Sequence, residues 1–240
     1  MKPPVALVTG SAGGLGAALA RRLAQHGWAV AAHYRHSGRA AAALVQSLTA
    51  GGATAAAFQA DLAVEAEAQR MVGEVIARFR QLDLLINNSG VYHAKPLATL
   101  SADEWFEGLN STATAVFFTT RAALPHLGKA ANGRVINLGD AGCERVGARD
   151  LAISYHLGKT GALMLTKSFA REAAGRGVTV NMISPGYLDN SRELPDPGAI
   201  PAGRFGTADD VWNAVEFLIK PASGYLTGAN LIVSGGWNLR

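Results

Sequence analysis

The sequence lacks several features that would assign it to whole classes of protein. One cysteine, Cys143, occurs in 240 residues, which excludes an internal disulfide and favours a reducing compartment. Basic residues do not cluster, and a formal net charge of +4 is too mild to predict a nucleic-acid partner. No apolar run approaches the roughly 18 residues that span a bilayer, and the start of the chain does not resemble a secretory signal. We therefore expect a cytoplasmic protein that binds neither nucleic acid nor membrane.

Acidic residues are missing from the start of the chain, and metal-binding clusters are missing throughout. No carboxylate occurs between Met1 and Asp61. No group of His, Cys, Asp and Glu has metal-ligand spacing, so we expect no metal site. Hydrophobic residues make up 49% of the chain and charged residues 17%, as in a compact globular protein. At this length the composition predicts one domain over residues 1–240.

Short apolar runs alternate with longer helical patterns along the chain. Strands are predicted at residues 5–9, 28–33, 53–58, 82–86, 134–138, 178–183 and 230–233, and helices at 14–26, 38–49, 64–80, 102–127, 152–174 and 208–219. Strands that are apolar throughout and separated by helices indicate a parallel sheet covered on both faces. We therefore predict a single-domain α/β fold, a doubly wound (Rossmann) parallel seven-stranded sheet with helices on both faces. Its ligand crevice is expected at the carboxyl ends of the strands.

A glycine-rich segment follows the first predicted strand and opens the first helix. Gly10, Gly14 and Gly16 permit a tight turn and the close approach of a ligand to the backbone. The N-terminus of the helix presents free N–H groups and a partial positive charge to phosphates. This strand–turn–helix context predicts a nucleotide site that also includes Ser11 and Leu15.

A basic residue follows the second predicted strand, where NAD sites of this type usually carry an acidic one. Arg35, with His36 and Ser37, offers a cation and a hydroxyl to a 2′-phosphate. We therefore predict NADP(H) as the cofactor. The alternative is a loop arginine that is only solvated.

Tyr155 and Lys159 are four residues apart, a spacing that places both on one face of a helix. An ammonium group beside a phenol favours the phenolate and so makes the tyrosine a stronger acid. The pair predicts a catalytic tyrosine next to the cofactor. The same spacing also occurs in helices where the tyrosine packs and the lysine is solvated.

Six motifs in the same order resemble those of the short-chain dehydrogenase/reductase family over the whole chain. They are the glycine segment at residues 9–16, Asp61-Leu62, Asn87-Asn88-Ser89-Gly90, Asn110, Tyr155 with Lys159, and Asn181 followed by Ser184-Pro185-Gly186. The resemblance implies an oxidoreductase that transfers hydride between NADP(H) and a small-molecule substrate. Residues 187–206, which contain three prolines, are then expected to cover that substrate.

The resemblance also implies a role for individual residues. Lys159 is expected to bind the nicotinamide ribose and to lower the pKa of the Tyr155 phenol, while Asn110 holds a water that links Lys159 to solvent. Helices 102–127 and 152–174 correspond to helices that pair across a two-fold axis in the family, so we expect a homotetramer. Small residues in these helices would equally suit packing within a monomer. Further cofactor contacts are expected from Asp61, Leu62, Asn88, Ser89, Gly90, Pro185, Gly186 and Leu188.

The chain departs from the family where a serine normally polarises the substrate carbonyl. Counting back thirteen positions from Tyr155 reaches Gly142, whereas aligning the fifth strand puts Asp140 there and leaves two extra residues in the loop. An Asp at this place resembles the pteridine reductases, a subgroup of the family, although Gly14 stands where those enzymes usually carry Arg. Asp140 either acts in catalysis, as a protonated donor, or only binds backbone N–H groups of its loop.

These patterns favour an NADPH-dependent reductase of a ketone or 3-oxoacyl substrate, with Tyr155 as the general acid. One alternative is a pteridine- or dihydrofolate-type reductase that uses Asp140 together with Tyr155 and Lys159. A second alternative, from another class of protein, is an NADP(H)-binding regulator that has lost catalysis. Regulators of that kind usually lack the Tyr or the Lys, and this chain has both.

Overall fold

Seven parallel strands form one sheet in the computed structural model, which describes residues 2–191 and 194–239. The strands are β1 (Val5–Val8), β2 (Ala29–Tyr34), β3 (Ala55–Gln59), β4 (Leu84–Asn87), β5 (Arg134–Leu138), β6 (Thr179–Pro185) and β7 (Asn230–Val233). Their order across the sheet is β3-β2-β1-β4-β5-β6-β7, and every neighbouring pair runs parallel. The predicted doubly wound parallel sheet is therefore confirmed.

The strand order reverses between β1 and β4, which are neighbours in the sheet. Val8 of β1 is in register with Ala32 of β2 on one side and with Ile86 of β4 on the other. Crossovers leave β1 and β4 in opposite directions, so a crevice opens at the carboxyl ends of these two strands. The glycine turn after β1 and the segment after β4 meet there.

Helices connect the strands. They are α1 (Gly14–Gln25), α2 (Gly38–Ala50), α3 (Glu65–Phe79), α4 (Ala102–Leu109), α5 (Ala115–Leu127), α6 (Ile153–Ala173) and α7 (Ala208–Ile219). The prediction of one helix over residues 102–127 was wrong in one respect. A π-helical turn, Asn110–Thr114, separates α4 from α5.

Apolar side chains cover both faces of the sheet because successive residues of a strand point to opposite sides. Val5 and Leu7 of β1 belong to a buried cluster with α3, α5 and α6. Ala6 and Val8, the alternate residues, belong to a second cluster with α1, α2 and α7. Two buried layers of this kind account for strands that are apolar at every position.

Within the described ranges, none of the helices combines the length and the apolar character needed to cross a bilayer. The predicted substrate loop, residues 187–206, includes Arg192 and Glu193, which lie outside the described residues.

Candidate active site

The glycine turn after β1 depends on two left-handed backbone conformations and one close approach. Gly10 and Gly14 have φ values of 60° and 54°, which side chains rarely tolerate. A Cβ on Gly16 would lie 2.5 Å from Nδ2 of Asn88 and 2.6 Å from the carbonyl oxygen of Gly10. The sequence Gly-x-x-x-Gly-x-Gly thus lets the chain turn sharply and enter α1 against the end of β4.

Hydrogen bonds join the glycine turn to the segment after β4. The Thr9 hydroxyl accepts from the backbone N–H groups of Asn88, at 2.9 Å, and Ser89, at 3.1 Å. In return the Asn88 amide donates to the carbonyl oxygens of Thr9 and Gly10, at 3.0 and 3.1 Å. The two predicted cofactor segments therefore form one connected wall of the crevice.

His33, at the end of β2, lies beneath the glycine turn. Its Nδ1 accepts from the Gly10 N–H at 3.0 Å, and its Nε2 lies 3.1 Å from the carbonyl of Ala60. This pairing places the single proton of the imidazole on Nε2. Burial lowers the pKa of His33 to about 4. A neutral imidazole therefore supports the turn at physiological pH.

Acid should destabilise the protein through His33. The unfolded chain takes up this proton below its ordinary pKa of 6.5, while the folded chain resists it down to about 4. Since the unfolded state binds more protons in this window, the free energy of unfolding falls as pH drops through it, by about 3 kcal/mol from this residue. Urea unfolding of His33→Gln at several pH values should show a flatter slope than the wild type. The exposed His36→Gln is the control, and an equally steep slope in His33→Gln would contradict the assignment.

Tyr155 and Lys159 meet at the mouth of the crevice. The Lys159 Nζ lies 5.3 Å from the centroid of the Tyr155 ring and donates a hydrogen bond of 2.6 Å to the carbonyl of Leu138, at the end of β5. Gly90 makes room for both: a Cβ there would lie 3.2 Å from Cε2 of Tyr155 and 3.7 Å from Nζ of Lys159. The structure thus brings α6, β5 and the segment after β4 to one point.

Thr112, rather than Asn110, packs at this point. A Cβ added to Gly90 would lie 3.3 Å from the Thr112 methyl group, and a Cβ added to Gly158 of α6 would overlap the Thr112 hydroxyl. Thr112 therefore packs directly against both glycines. The Asn110 side chain instead accepts from the Thr114 hydroxyl at 3.0 Å and lines a different cavity. The water-holding role expected for Asn110 beside Lys159 stays a prediction. The π-helical turn widens the helix by one residue per turn and so changes which side chain faces α6.

Burial sets the protonation states of Tyr155 and Lys159. It raises the pKa of the Tyr155 phenol above its ordinary value, and the Asp140 carboxylate raises it further. Burial also lowers the pKa of Lys159 to about 8, although Asp140 opposes this shift. The expected lowering of the phenol pKa by Lys159 is not observed, because Lys159 is not among the groups that shift this pKa. At neutral pH Tyr155 keeps its proton and Lys159 is charged.

Asp140 binds its own loop and also lines the cavity that Tyr155 and Lys159 line. Its Oδ1 accepts from the Gly142 N–H at 2.8 Å and lies 3.8 Å from Nδ1 of His156. Arg149 closes the same loop by donating to the Gly142 carbonyl at 2.6 Å. Both alternatives for Asp140 thus have a structural basis: it stabilises the loop, and its carboxylate reaches the site.

Tyr155, Lys159 and Asp140 line a cavity of about 570 Å³. Aromatic rings form much of its remaining wall. Tyr92 lies edge-on to Tyr155 with ring centroids 5.2 Å apart, and Tyr187 meets Trp237 in the same way at 5.2 Å. Predicted cofactor residues also line this cavity: Gly14, Leu15, Asn88, Gly90, Pro185, Gly186 and Leu188.

A second cavity, of about 320 Å³, lies between the end of β2 and α4. Arg35 and Asp61 line one side, and Glu104, Glu107 and Asn110 line the other. The Arg35 guanidinium crosses the gap and forms an ion pair with the Glu107 carboxylate. The predicted 2′-phosphate residue therefore has an acidic partner that the sequence analysis did not anticipate.

Several predicted cofactor residues line neither of these two cavities. Ser11 is buried, and its N–H and hydroxyl lie 3.0 and 3.3 Å from the His33 carbonyl. Leu62 packs in one of the apolar clusters. His36 and Ser37 are exposed at the start of α2, and the Ser37 side chain makes no capping hydrogen bond.

Thr112, His156, Tyr92 and Trp237 were not predicted as site residues, and Tyr187 was predicted only as part of the substrate loop 187–206. Only His156 carried a usable signal, because it follows Tyr155 directly on the same helix. The three aromatic wall residues come from loops far apart in the chain. No local pattern predicts that such segments converge.

Comparison with known proteins shows what this chain is similar to. A family model described as "Enoyl-(Acyl carrier protein) reductase" matches residues 10–238. A curated relative, the 3-oxoacyl-(acyl-carrier-protein) reductase FabG of Staphylococcus aureus strain Mu50, is 36% identical over 239 residues and covers 96% of both chains. A solved blue fluorescent protein from a metagenomic library, in complex with NADPH, has a TM-score of 0.89 at 35% identity, covering 98% of this chain and 97% of that one. A short-chain dehydrogenase of Burkholderia cenocepacia J2315, in complex with NADP, has the same score and identity and covers 98% of both.

Proposed function

Since the chain belongs to the short-chain dehydrogenase/reductase family, we propose that it is an NADPH-dependent reductase of a carbonyl group in a small 3-oxoacyl or ketone substrate. One observation carries the proposal. Tyr155 and Lys159 meet Gly90 in a cavity that also contains the start of α1, so an acid and a dinucleotide site share one space. Hydride transfer to a carbonyl requires both within reach of one substrate.

The residues around the glycine turn fit a dinucleotide phosphate. The Ser89 hydroxyl is buried, has no hydrogen-bond partner among the described residues, and lies beside Gly10. Such an orphaned group suits a ligand hydroxyl or phosphate. Arg35 lines the second cavity and offers a guanidinium that suits a 2′-phosphate. The cofactor is NADP(H), which supplies the hydride when bound.

Tyr155 acts as the proton donor in the proposed reaction. Because burial keeps its phenol protonated, it transfers a proton to the substrate oxygen as negative charge develops there. The resulting phenolate would be costly beside Asp140, and the Lys159 ammonium offsets that cost. The carbonyl of Leu138 holds that ammonium in place.

Asp140 supports a second candidate, a pteridine- or dihydrofolate-type reductase. A carboxylate on the wall of an aromatic-lined cavity suits a planar heterocycle whose ring nitrogens donate hydrogen bonds. Gly14 favours the carbonyl reductase instead. Its φ of 54° disfavours the arginine that pteridine reductases usually carry at this position. A regulator without catalysis is the third candidate, and the retained Tyr155–Lys159 pair disfavours it.

Substitution of Asp140 distinguishes these functions. NADPH oxidation is followed by the absorbance of the reduced nicotinamide, with an acetoacetyl thioester, a small ketone and a dihydropterin as substrates. We expect Asp140→Ala to lower turnover of the preferred substrate at least about tenfold and to leave NADPH affinity nearly unchanged.

Asp140→Asn is the matched variant because its amide oxygen still accepts from the Gly142 N–H. Retained activity in Asp140→Asn excludes Asp140 as an acid that transfers a proton and favours the carbonyl reductase. Loss in both variants, together with turnover of the dihydropterin alone, favours the pteridine reductase. No turnover of any substrate by the wild type, despite NADPH binding, favours the regulator.

Assembly into a homotetramer stays a proposal, and an exposed apolar face supports it. Phe106 of α4 and Met164 of α6 are 58% and 67% exposed, and Leu157 of α6 is 45% exposed. Such side chains on the two helices expected to pair suit a symmetric contact. Sedimentation would distinguish a tetramer from a monomer of 24.9 kDa.

A further inference from the structure

The ion pair between Arg35 and Glu107 joins two elements that are distant in the chain. Arg35 directly follows β2, and Glu107 lies on α4 across the second cavity. Both side chains are partly buried, with 29% and 32% of their surfaces exposed. Within residues 2–191 and 194–239, Glu107 is the one side chain that accepts a hydrogen bond from the Arg35 guanidinium.

A second contact holds the Glu107 carboxylate at this place. Its Oε2 lies 2.8 Å from Nε2 of His93, while Oε1 takes Arg35. Arg35 and His93 hold the pKa of Glu107 below its ordinary value, against a smaller opposing effect of burial. The carboxylate is therefore ionised at neutral pH and cannot turn away from Arg35 without losing His93.

We propose that Glu107 is a specificity-determining residue that competes with the 2′-phosphate of NADP(H) for Arg35 and thereby limits cofactor affinity. The inference rests on the proposed function, in which Arg35 binds that phosphate. It goes beyond the proposed function because it identifies a carboxylate of the protein, Glu107, that competes with the phosphate for Arg35.

The competition follows from charge. A phosphate monoester carries a charge between about −1.5 and −2 at neutral pH. If Arg35 contacts both anions, the phosphate lies close to the Glu107 carboxylate and is repelled by it. If Arg35 leaves Glu107, the ion pair is lost. Either route lowers the affinity for NADP(H) without affecting NAD(H), which has no 2′-phosphate.

Other charges at this cavity do not contact the guanidinium. Glu104 pairs with Lys95 and lies 4.0 Å from Nδ1 of His93. Asp61 accepts from the Ala63 N–H at 3.0 Å. Asp103 lines the cavity from the same helix as Glu107 and has no ion pair among the described residues. Asp103 is therefore a control for a general effect of negative charge.

The test is the Kd of NADPH, measured by fluorescence titration of the substrate-free protein. Glu107→Gln should lower this Kd by about threefold to tenfold and leave the Kd of NADH unchanged. Asp103→Asn should change the NADPH Kd by less than about twofold, because its charge is not in contact with Arg35. In an Arg35→Ala background, Glu107→Gln should have a smaller effect than in the wild type, because only the repulsion between the Glu107 carboxylate and the phosphate is left.

The two variants test different statements: Glu107→Gln tests the competition for Arg35, and Arg35→Ala tests the phosphate site itself. If Glu107 instead positions Arg35 for the phosphate, Glu107→Gln raises the NADPH Kd, and an unchanged or raised Kd overturns the inference. Arg35→Ala tests the proposed function on its own, because it should weaken NADPH and spare NADH. If Arg35→Ala leaves the NADPH Kd unchanged, the phosphate site is assigned wrongly and the inference fails with it. Thermal unfolding shows whether each variant is folded.

Discussion

Tyr155→Phe is expected to lower the turnover number for NADPH-dependent reduction by about a thousandfold, the range typical of a lost general acid. The substitution removes one oxygen and keeps the ring. The ring therefore retains its edge-on contact with Tyr92 and its place 5.3 Å from the Lys159 ammonium. Steady-state kinetics with the preferred substrate measure the effect, and fluorescence titration should show an NADPH Kd close to that of the wild type.

Tyr187→Phe is the matched control for Tyr155→Phe. It removes a phenol oxygen from the same cavity, where Tyr187 packs against Trp237. Because Tyr187 has no proposed part in proton transfer, we expect turnover within about tenfold of the wild type. Equal losses in the two variants, or a Tyr155→Phe enzyme with wild-type turnover, would remove Tyr155 from the proposed mechanism.

Gly16→Ala is expected to damage both the fold and the cofactor site. The added Cβ would lie 2.6 Å from the Gly10 carbonyl oxygen, so the glycine turn must shift. The Asn88 amide, 2.5 Å from that Cβ, would be displaced from the hydrogen bonds that join the turn to β4. We expect the free energy of unfolding to fall by about 2–3 kcal/mol and the NADPH Kd to rise at least about tenfold.

Gly73→Ala is the control for the glycine substitution. Gly73 is exposed within α3, and an added Cβ has no neighbour within 4 Å. Alanine should therefore stabilise the protein by about 0.5–1 kcal/mol and leave the NADPH Kd unchanged. Urea unfolding and NADPH titration check both variants. A Gly16→Ala protein as stable as the wild type would show that the turn tolerates a side chain at this position.

Local sequence patterns were sufficient to predict the strands, most of the helices and the shared helix face of Tyr155 and Lys159. Strands β5 and β7 and helix α7 have the bounds that apolar periodicity predicted. Tyr155 and Lys159 share a face of α6 because a spacing of four residues nearly completes a helical turn. The tight turn at Gly10 and Gly14 was also predictable from the sequence, because few other residues accept the left-handed backbone conformation that both adopt.

Predictions that depended on a distant segment were less reliable. A continuous helix was predicted over residues 102–127, whereas a π-helical turn interrupts it and presents Thr112 to Gly158 of α6, a contact that was not predicted. Arg35 was selected for its charge, but its partner Glu107 lies on another element. Lys159 was expected to lower the pKa of the Tyr155 phenol, whereas burial and Asp140 raise it.

Backbone periodicity and residue spacing act over a few positions, so the order of residues alone was enough to predict the doubly wound sheet, the glycine turn and the Tyr155–Lys159 pair. Packing between segments far apart in the chain was needed to place Thr112 at the catalytic pair, to pair Glu107 with Arg35 and to hold Asp140 against its loop. These contacts depend on distances and burial across the fold, which no local pattern records.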